Sequence, residues 1–281
     1  MASVSLKDKN FDFSDLTSAM IVAEVGDIRS AITTFSFEQN QFVSIDMFDN
    51  DSDAKALTKS VLFGTTAKQK LLSLSAGKTL LVPSALFDKE KINDLFQFNF
   101  EDFNSDIEKV FFNKLNHLNA YLLFSVNHDV VKLLSPFFEE QNFYHRASGF
   151  LETCVLFQNE RLKNQDKPVI FVDVLDNSII LSLFDSGKLA FFNQIAFKKP
   201  QDFVFFLVKL ADEFKLDTKK TELFLSGLVD FPRGEILQEI KKFFLQVYPF
   251  EFTKFFGISP ALKPTPVYQN NSLFNLPFCV S

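Results

Sequence analysis

Residues 169–197 read VIFVDVLDNSIILSLFDSGKLAFFNQIAF, and this stretch decides the fold class. It predicts three successive strands, because apolar, β-branched and aromatic residues fill three runs that are separated by turn residues. The first run ends in Asp173, and the tetrapeptide Asp185–Lys188 closes a hairpin between the second and third runs. The feature that needs explaining is a strand that ends in an acid and is followed by a tight turn without glycine.

A similar arrangement lies near the start of the chain. Residues 19–26, 30–37 and 41–48 also predict three strands joined by short turns, and Glu24 stands at the end of the first. Two such units in one chain indicate an internal duplication. Strands that alternate with helices follow each meander, so we expect an α/β fold with mixed sheets covered by helices.

A long amphipathic helix is predicted at 145–165, between the two halves. We therefore expect an N-terminal lobe at 1–145, with an inserted α/β segment, and a C-terminal lobe plus an extended tail at 146–281. The tail contains an apolar strip, Leu273–Phe278, for which packing on its own domain is favoured over docking on a partner. The other expected elements are strands at 68–75, 78–83, 106–115, 120–126 and 221–230 and helices at 88–98, 126–141, 200–216 and 233–248.

Composition excludes several classes of protein. The formal net charge of −6 and the lack of a basic cluster argue against nucleic-acid binding. No segment reaches the ~20 apolar residues of a membrane span. The two cysteines, Cys154 and Cys279, do not make a disulfide framework. A soluble cytoplasmic protein is expected, and the 39 Phe residues are expected to fill core positions rather than a stacking surface.

The order of elements resembles that of the actin, sugar-kinase and heat-shock-chaperone superfamily. Its members duplicate a meander-plus-helix unit and hold ATP between the halves. The resemblance covers most of the chain, including the strand that ends in Ser226 and Gly227. The chain is similar to actin-like assembly proteins of type IV pili and type II secretion, and most similar to an uncharacterised family of degenerate actin-like proteins in Bacteroidetes-type bacteria, which also shows the strand end Leu81–Pro83. A duplicated actin-like (ribonuclease H-like) fold with two lobes is implied.

The resemblance also implies where a nucleotide would bind. Each half of the superfamily carries a phosphate-binding turn with an acid and a glycine, since a Cβ would keep the backbone N–H groups away from the phosphate. The matching positions here are Glu24 and Gly26 in the first half and Asp173 in the second. Ser226 and Gly227 match the adenosine-contacting Ser-Gly-Gly. These five residues would contact the nucleotide only if one is bound at all.

The turns depart from the family pattern at several positions. Glu24 replaces the usual Asp, and Leu175 stands where the second turn should have glycine. Asp27 and Asp176 bring negative charge to the phosphate positions, and Leu228 replaces the last glycine of Ser-Gly-Gly. We therefore expect degenerate phosphate loops, no cofactor, no catalytic residues and, on balance, no enzymatic activity.

A P-loop and a zinc site are both excluded by the spacing of the residues that they would need. Gly77-Lys78-Thr79 looks like the end of a P-loop, but Leu72 stands at its first glycine and a strand rather than a helix follows. His117, His128 and His145 are too scattered for a zinc site and are expected at surface or helix-capping positions.

The leading hypothesis is a non-catalytic actin-like scaffold or adaptor that binds another protein, with self-association left open. The alternative is a divergent ATP-binding protein, an ATPase or kinase-like enzyme, that uses the cleft between the lobes and Mg²⁺. A regulatory domain that binds some other ligand between the lobes is a third class. The electrostatics of the turns discriminates between the first two, because an ATP site needs basic or N–H-rich walls.

Overall fold

The computed structural model describes residues 2–26, 29–49, 60–75, 77–161 and 167–279. The chain divides into two compact units. Unit 1 consists of Met1–Gly149, Thr253–Thr265 and Ser272–Ser281, and unit 2 consists of Phe150–Phe252 and Pro266–Asn271. No helix in the described ranges is both long enough and apolar enough to span a membrane.

Unit 1 is built on a seven-stranded mixed sheet. Its spatial order is β1-β4-β3-β2-β5-β9, and β15 pairs with β4 in addition. The strands are β1 (Val4–Lys7), β2 (Leu16–Val25), β3 (Arg29–Ser36), β4 (Gln41–Asp49), β5 (Ala67–Leu74), β9 (Phe143–His145) and β15 (Gly257–Ile258). The second, third and fourth strands form the predicted antiparallel meander, and β5 runs parallel to β2. A one-turn helix, α1 (Val61–Gly64), precedes β5.

Unit 1 also contains a three-stranded antiparallel sheet of order β6-β8-β7, with β6 (Thr79–Pro83), β7 (Glu108–Leu115) and β8 (Ala120–Asn127). Helix α2 (Ile92–Asn99) buries Phe96 in a small core of its own, which includes Val82 and Leu123. Helix α3 (His128–Leu134) follows β8. The Asn127 side chain caps α3 by accepting a hydrogen bond from the Asp129 N–H at 2.8 Å, as a helix N-cap residue does.

Unit 2 is built on a five-stranded mixed sheet of order β12-β11-β10-β13-β14. The strands are β10 (Val169–Val174), β11 (Ser178–Asp185), β12 (Lys188–Ala196), β13 (Glu222–Gly227) and β14 (Gln246–Pro249). Every residue of β10 is buried, as expected for a central strand that is covered on both faces. The quoted stretch therefore forms the three predicted strands, and β13 runs parallel to the first of them.

The helices of this half follow from a 3.6-residue apolar period. Helix α4 (Arg146–Arg161) is the predicted long helix, and the division between the two units falls within it. Helix α5 (Pro200–Glu213) begins with proline, whose missing N–H costs nothing in the first turn. Its residues Phe203, Leu207 and Leu210 recur at helical spacing and belong to the core cluster that contains β11. Burial of each such side chain stabilises the fold by about 1.5–3 kcal/mol.

One predicted helix is wrong over most of its length. The sequence predicts a helix at 233–248, but helix α6 (Glu235–Ile240) ends early and Gln246–Pro249 form β14, parallel to β13. The run FFLQVY is so apolar that it fits both the 3.6-residue period of a helix and the two-residue period of a strand. Its pairing with β13 makes it a strand. The N-terminal strand β1 and the short β9 and β15 also escape the sequence analysis.

The tail is a second correction. The sequence predicts mostly extended, irregular chain from residue 258 onwards, but Asn271–Cys279 form helix α7, with Leu273, Phe274 and Leu276 buried. This segment packs on its own chain, because the Phe274 ring lies 4.6 Å from that of Phe42 on β4. The apolar strip is therefore core, and the residues from 272 onwards belong to unit 1.

Candidate functional site

The strand-end acid of unit 1 lies in an ion pair. Glu24, near the end of β2, is only 8% exposed, and its Oε1 accepts a hydrogen bond from Nη1 of Arg146 at 2.5 Å. The arginine is the first residue of α4, where the positive end of the helix dipole disfavours a cation. A carboxylate close to the guanidinium offsets the unfavourable effect of the dipole and part of the cost of removing the arginine from water.

The turn after Glu24 is closely packed. A Cβ on Gly26 would lie 2.5 Å from the carbonyl oxygen of Arg29 and 3.2 Å from Oγ of Ser75. The Ser75 N–H donates to the carbonyl oxygen of Val25 at 3.1 Å, which ties the end of β5 to the same turn. The close packing of the protein around this position is thus enough to explain why it is glycine, without a bound phosphate. Asp27, the second acid that the sequence places here, lies outside the described residues.

A buried polar cluster holds the start of α4. Oδ1 of Asn113 on β7 accepts hydrogen bonds from the backbone N–H of His145 at 2.9 Å and from the hydroxyl of Ser148 at 2.8 Å. The amide group of Asn113 donates to the Phe143 carbonyl oxygen at 3.0 Å. These bonds fix where α4 begins, and therefore where Arg146 points.

His145 has the helix-capping one of the two roles that the sequence predicts. It adjoins a helix start, and its Nδ1 accepts the Ala147 N–H at 3.1 Å, but it is fully buried rather than on the surface. Burial lowers the pKa of His145 to about 3, against the opposing effect of a backbone hydrogen bond at Ser75, and the neighbouring Arg146 lowers this pKa further. The imidazole is therefore neutral at physiological pH. His128 is exposed at the start of α3, with Nε2 3.0 Å from the Ser105 carbonyl oxygen.

The strand-end acid of unit 2 has a different partner. Asp173 on β10 is fully buried, and its Oδ1 accepts a hydrogen bond from the Ser226 hydroxyl at 2.9 Å. The two residues are directly paired in the parallel ladder between β10 and β13. The structure thus brings the predicted residues Asp173, Ser226 and Gly227 together within unit 2.

Gly227 is required by contact between strands. It has φ +81°, and a Cβ there would lie 2.2 Å from the Val174 carbonyl oxygen and 2.7 Å from Oδ1 of Asp173. The following N–H, of Leu228, donates to the same Val174 oxygen at 2.8 Å. Both residues therefore close the end of β13 onto β10.

The turn between β10 and β11 closes on itself. The N–H of Leu175 donates to the Ser178 carbonyl oxygen at 2.9 Å, and the leucine side chain is buried. Asn177, at the tip, is exposed and its carbonyl oxygen accepts the Phe197 N–H at 3.0 Å. The N–H that a phosphate-binding turn would offer at position 175 is thus engaged within the protein.

The sequence did not predict that Arg146 would be the partner of Glu24. The arginine stands 122 positions from Glu24, so no local pattern connects the two. One signal was available, since a cation at the first position of a long helix is unfavourable without a nearby anion.

Among the residues that the structure describes, these acids do not form part of a metal site. Within the described ranges, no group of three or more His, Cys, Asp or Glu side chains could hold a metal ion. The rejected P-loop segment is also accounted for, because Lys78 pairs with Glu108 at 3.0 Å and the strand β6 begins at Thr79.

Comparison with known proteins identifies the fold and the family. A protein of unknown function from Bacteroides thetaiotaomicron VPI-5482, with an actin-like ATPase fold, superposes with a TM-score of 0.72 at 18% identity, over 85% of this chain and 93% of that one. The PilM-PilN type IV pilus biogenesis complex contains a chain that superposes with a TM-score of 0.53 at 11% identity, over 93% of this chain and 97% of that one.

These likenesses confirm the predicted actin-like fold. No curated protein sequence matches the chain. A family model described as "Protein of unknown function (DUF3822)" matches residues 56–247, which is more than half of the chain. The chain therefore belongs to the DUF3822 family of proteins of unknown function.

Proposed function

We propose that this protein is a non-catalytic scaffold or adaptor that has kept the actin-like fold while its phosphate turns have become structural. The observation that carries the proposal is that Asp173 is fully buried against the Ser226 hydroxyl. An acid that organises Mg²⁺ or an attacking water must present its oxygens to the ligand. This carboxylate is instead part of the joint between β10 and β13.

The unit 1 residues do not fit Mg²⁺-ATP either. The carboxylate of Glu24 is neutralised by Arg146, and the space beside Gly26 is filled by the Arg29 carbonyl oxygen, which would repel a phosphate. Phosphate turns bind through convergent backbone N–H groups. A carbonyl oxygen at the glycine has the opposite polarity.

Two N–H groups at the unit 2 turn are engaged within the protein and are not offered to a phosphate. The Leu175 and Leu228 N–H groups donate to Ser178 and Val174. A buried leucine also replaces the glycine through which phosphate would approach. The comparison with PilM, which is seen in complex with PilN, supports the same proposal by precedent, since a protein of this fold is known in a protein complex.

Calorimetric titration of the purified protein with Mg²⁺-ATP, and separately with Mg²⁺-ADP, tests the proposal. We expect no saturable heat at protein concentrations that detect micromolar binding. The variant Asn177→Lys makes the test sharper, because it adds a cation at the exposed tip of the second turn. A turn that holds phosphate would bind about tenfold more tightly with this cation, whereas a structural turn would not respond.

The matched control is Gln201→Lys, which adds the same charge at an exposed position in the first turn of α5. Saturable heat that increases in the Asn177 variant and not in the control would make the protein a nucleotide-binding one, and the scaffold proposal would be withdrawn. Far-UV circular dichroism of both variants verifies that they are folded.

A further inference from the structure

Strand β12 forms an open edge of the unit 2 sheet. Among the described residues it pairs with β11 alone, and none of its residues is fully buried. After an irregularity opposite Leu183 and Phe184, the pairing is regular from Phe191 to Ala196. In the described structure, no strand pairs with the outer edge of this regular part.

The other sheet edges are protected in ways that β12 is not. Strands β1 and β14 have four residues each, β9 has three, and β14 ends in Pro249. Strand β6 ends in Pro83, and β7 carries Glu108, Lys109 and Lys114. Short length, proline and charge are the means by which proteins prevent an edge from pairing. Strand β12 has nine residues, and no charge between Lys188 and Lys198.

Three unpartnered cations flank this uncharged strand. Lys188, Lys198 and Lys199 are all exposed, and none forms an ion pair in the described part of the chain, where other lysines do. Two acids lie nearby. Asp185 is opposite Lys188 in the hairpin, and the Asp202 carboxylate accepts the backbone N–H groups of Lys198 and Lys199 at 3.1 Å each. The ammonium groups remain available in a protein of net charge −6.

This charge pattern selects the occupant. A symmetric antiparallel pair of two β12 strands would bring the Lys188 end of each copy to the Lys198 and Lys199 end of the other, and like charges brought together in a sheet are destabilising. An extended segment with acids at both ends and uncharged β-forming residues between them would place each acid beside a lysine. The edge is therefore complementary to an acid-flanked strand and unfavourable for a second copy.

We propose that the outer edge of β12 is a docking site where a partner protein adds an extended, acid-flanked segment as an antiparallel strand. The proposal rests on the scaffold function and names its partner class. Backbone hydrogen bonds to Phe191–Ala196 hold the segment, and the lysines fix its direction and register. Two acids at its N-terminal end would meet Lys198 and Lys199, and one acid at its C-terminal end would meet Lys188.

Fluorescence anisotropy with a labelled synthetic peptide tests the docking site. The peptide has two Glu residues, about eight alternating Thr and Val residues to match the length of the strand, and a final Glu. We expect saturable binding that weakens as salt is added. The double variant Lys188→Glu/Lys198→Glu should raise the dissociation constant at least about tenfold. The control Lys209→Glu/Lys241→Glu, with the same charge change at exposed positions of unit 2, should change it by less than about twofold.

Peptides with alternate amides N-methylated separate strand addition from simple charge attraction. Strand addition uses the N–H groups of one edge of the peptide, so methylation of that edge abolishes binding and methylation of the other edge does not. Equal binding of both methylated peptides, equal binding of a peptide with Lys in place of Glu, or no saturation at about 1 mM peptide would each overturn the proposal.

Sedimentation velocity adds a further test. A dimer that the peptide dissociates would assign the edge to a second copy and overturn the proposal as well. If the peptide does not bind and the calorimeter detects no nucleotide binding, the scaffold function stands, but its partner binds another surface. If the calorimeter detects saturable nucleotide binding, the scaffold function is withdrawn, whether or not the peptide binds.

Discussion

The two strand-end acids occupy corresponding places in the two units and are compensated in different ways. Glu24 in unit 1 pairs with a cation, Arg146, and both side chains retain slight exposure, 11% and 9%. Asp173 in unit 2 is fully buried and accepts a hydrogen bond from a neutral hydroxyl on the adjacent strand. A carboxylate at a strand end can thus be retained by an ion pair that reaches across the sequence or by a bond within one sheet.

The difference shows which part of each unit depends on the acid. In unit 1 the ion pair joins β2 to the first residue of α4, so its loss should affect how the helix begins. In unit 2 the bond joins β10 to β13, which the backbone ladder already holds together. We therefore expect unit 1 to be the more sensitive to loss of the partner.

The largest effect is expected from Arg146→Met. This change leaves the Glu24 carboxylate buried without its cation, and such a loss costs about 3–5 kcal/mol of unfolding free energy. Urea denaturation followed by far-UV circular dichroism is suitable, since the chain has no Trp. The double variant Glu24→Gln/Arg146→Met should recover most of the loss.

The matched control is Arg161→Met, at the other end of the same helix. Arg161 pairs with Glu222 at 2.9 Å but is 32% exposed, so its removal should cost only about 1 kcal/mol. Equal costs for the two arginine variants would show that the Glu24 pair is no more important than a partly exposed one.

A pH titration of stability isolates the second effect, at His145. Its folded pKa of about 3 lies below the ordinary value of 6.5, so the unfolded chain takes up a proton first as the pH falls. The stability of the neutral buried form is therefore complete above pH 6.5 and is lost progressively down to about pH 3. Between pH 7 and pH 5 we expect a loss of about 2 kcal/mol from this group.

The variant His145→Asn separates this effect from the titration of acids. Asn can still accept the Ala147 N–H but does not titrate, so the difference in slope between the native and variant proteins belongs to the imidazole. Identical slopes would mean that His145 is protonated in the folded protein and that its burial is relieved on acidification.

The smallest effect is expected from Ser226→Ala. The change removes the hydroxyl that donates to Asp173 and should cost about 1–2 kcal/mol. Ser182→Ala, on β11, is the matched control, because Ser182 is equally buried and its hydroxyl has no hydrogen-bond partner in the described structure. It should cost less than about 0.5 kcal/mol. A cost for Ser226→Ala as small as that of the control would contradict the importance of the bond to Asp173.

The sequence predicted the parts of the fold that depend on local periodicity. Both meanders, the cap at Asn127 and the proline start of α5 were within reach, because each depends on neighbouring residues. Strand β14 was not, since its run fits helix and strand alike and only its pairing with β13 decides. The helix α7 has Pro277 inside it, which argues for irregular chain until the buried contacts of Phe274 are known.

The candidate site divides in the same way. The positions of Glu24 and Asp173 at strand ends followed from the apolar runs before them. Their partners did not follow, because Arg146 and Ser226 are brought in from distant segments by the sheets and by the polar cluster around Asn113. Local sequence reports where an acid stands, but whether it is available to a ligand is decided by tertiary structure.

The contribution of late residues to unit 1 has a consequence for synthesis on the ribosome. The rings of Phe256 and Phe274 pack on Phe42 of β4, and the Ser259 hydroxyl donates to Asp8 at 2.6 Å. The first unit to leave the exit tunnel is thus the last to be completed, since it waits for residues made after nearly all of unit 2. During that interval Phe42 is without these neighbours, and nascent chains are most exposed to chaperones and to aggregation at such a stage.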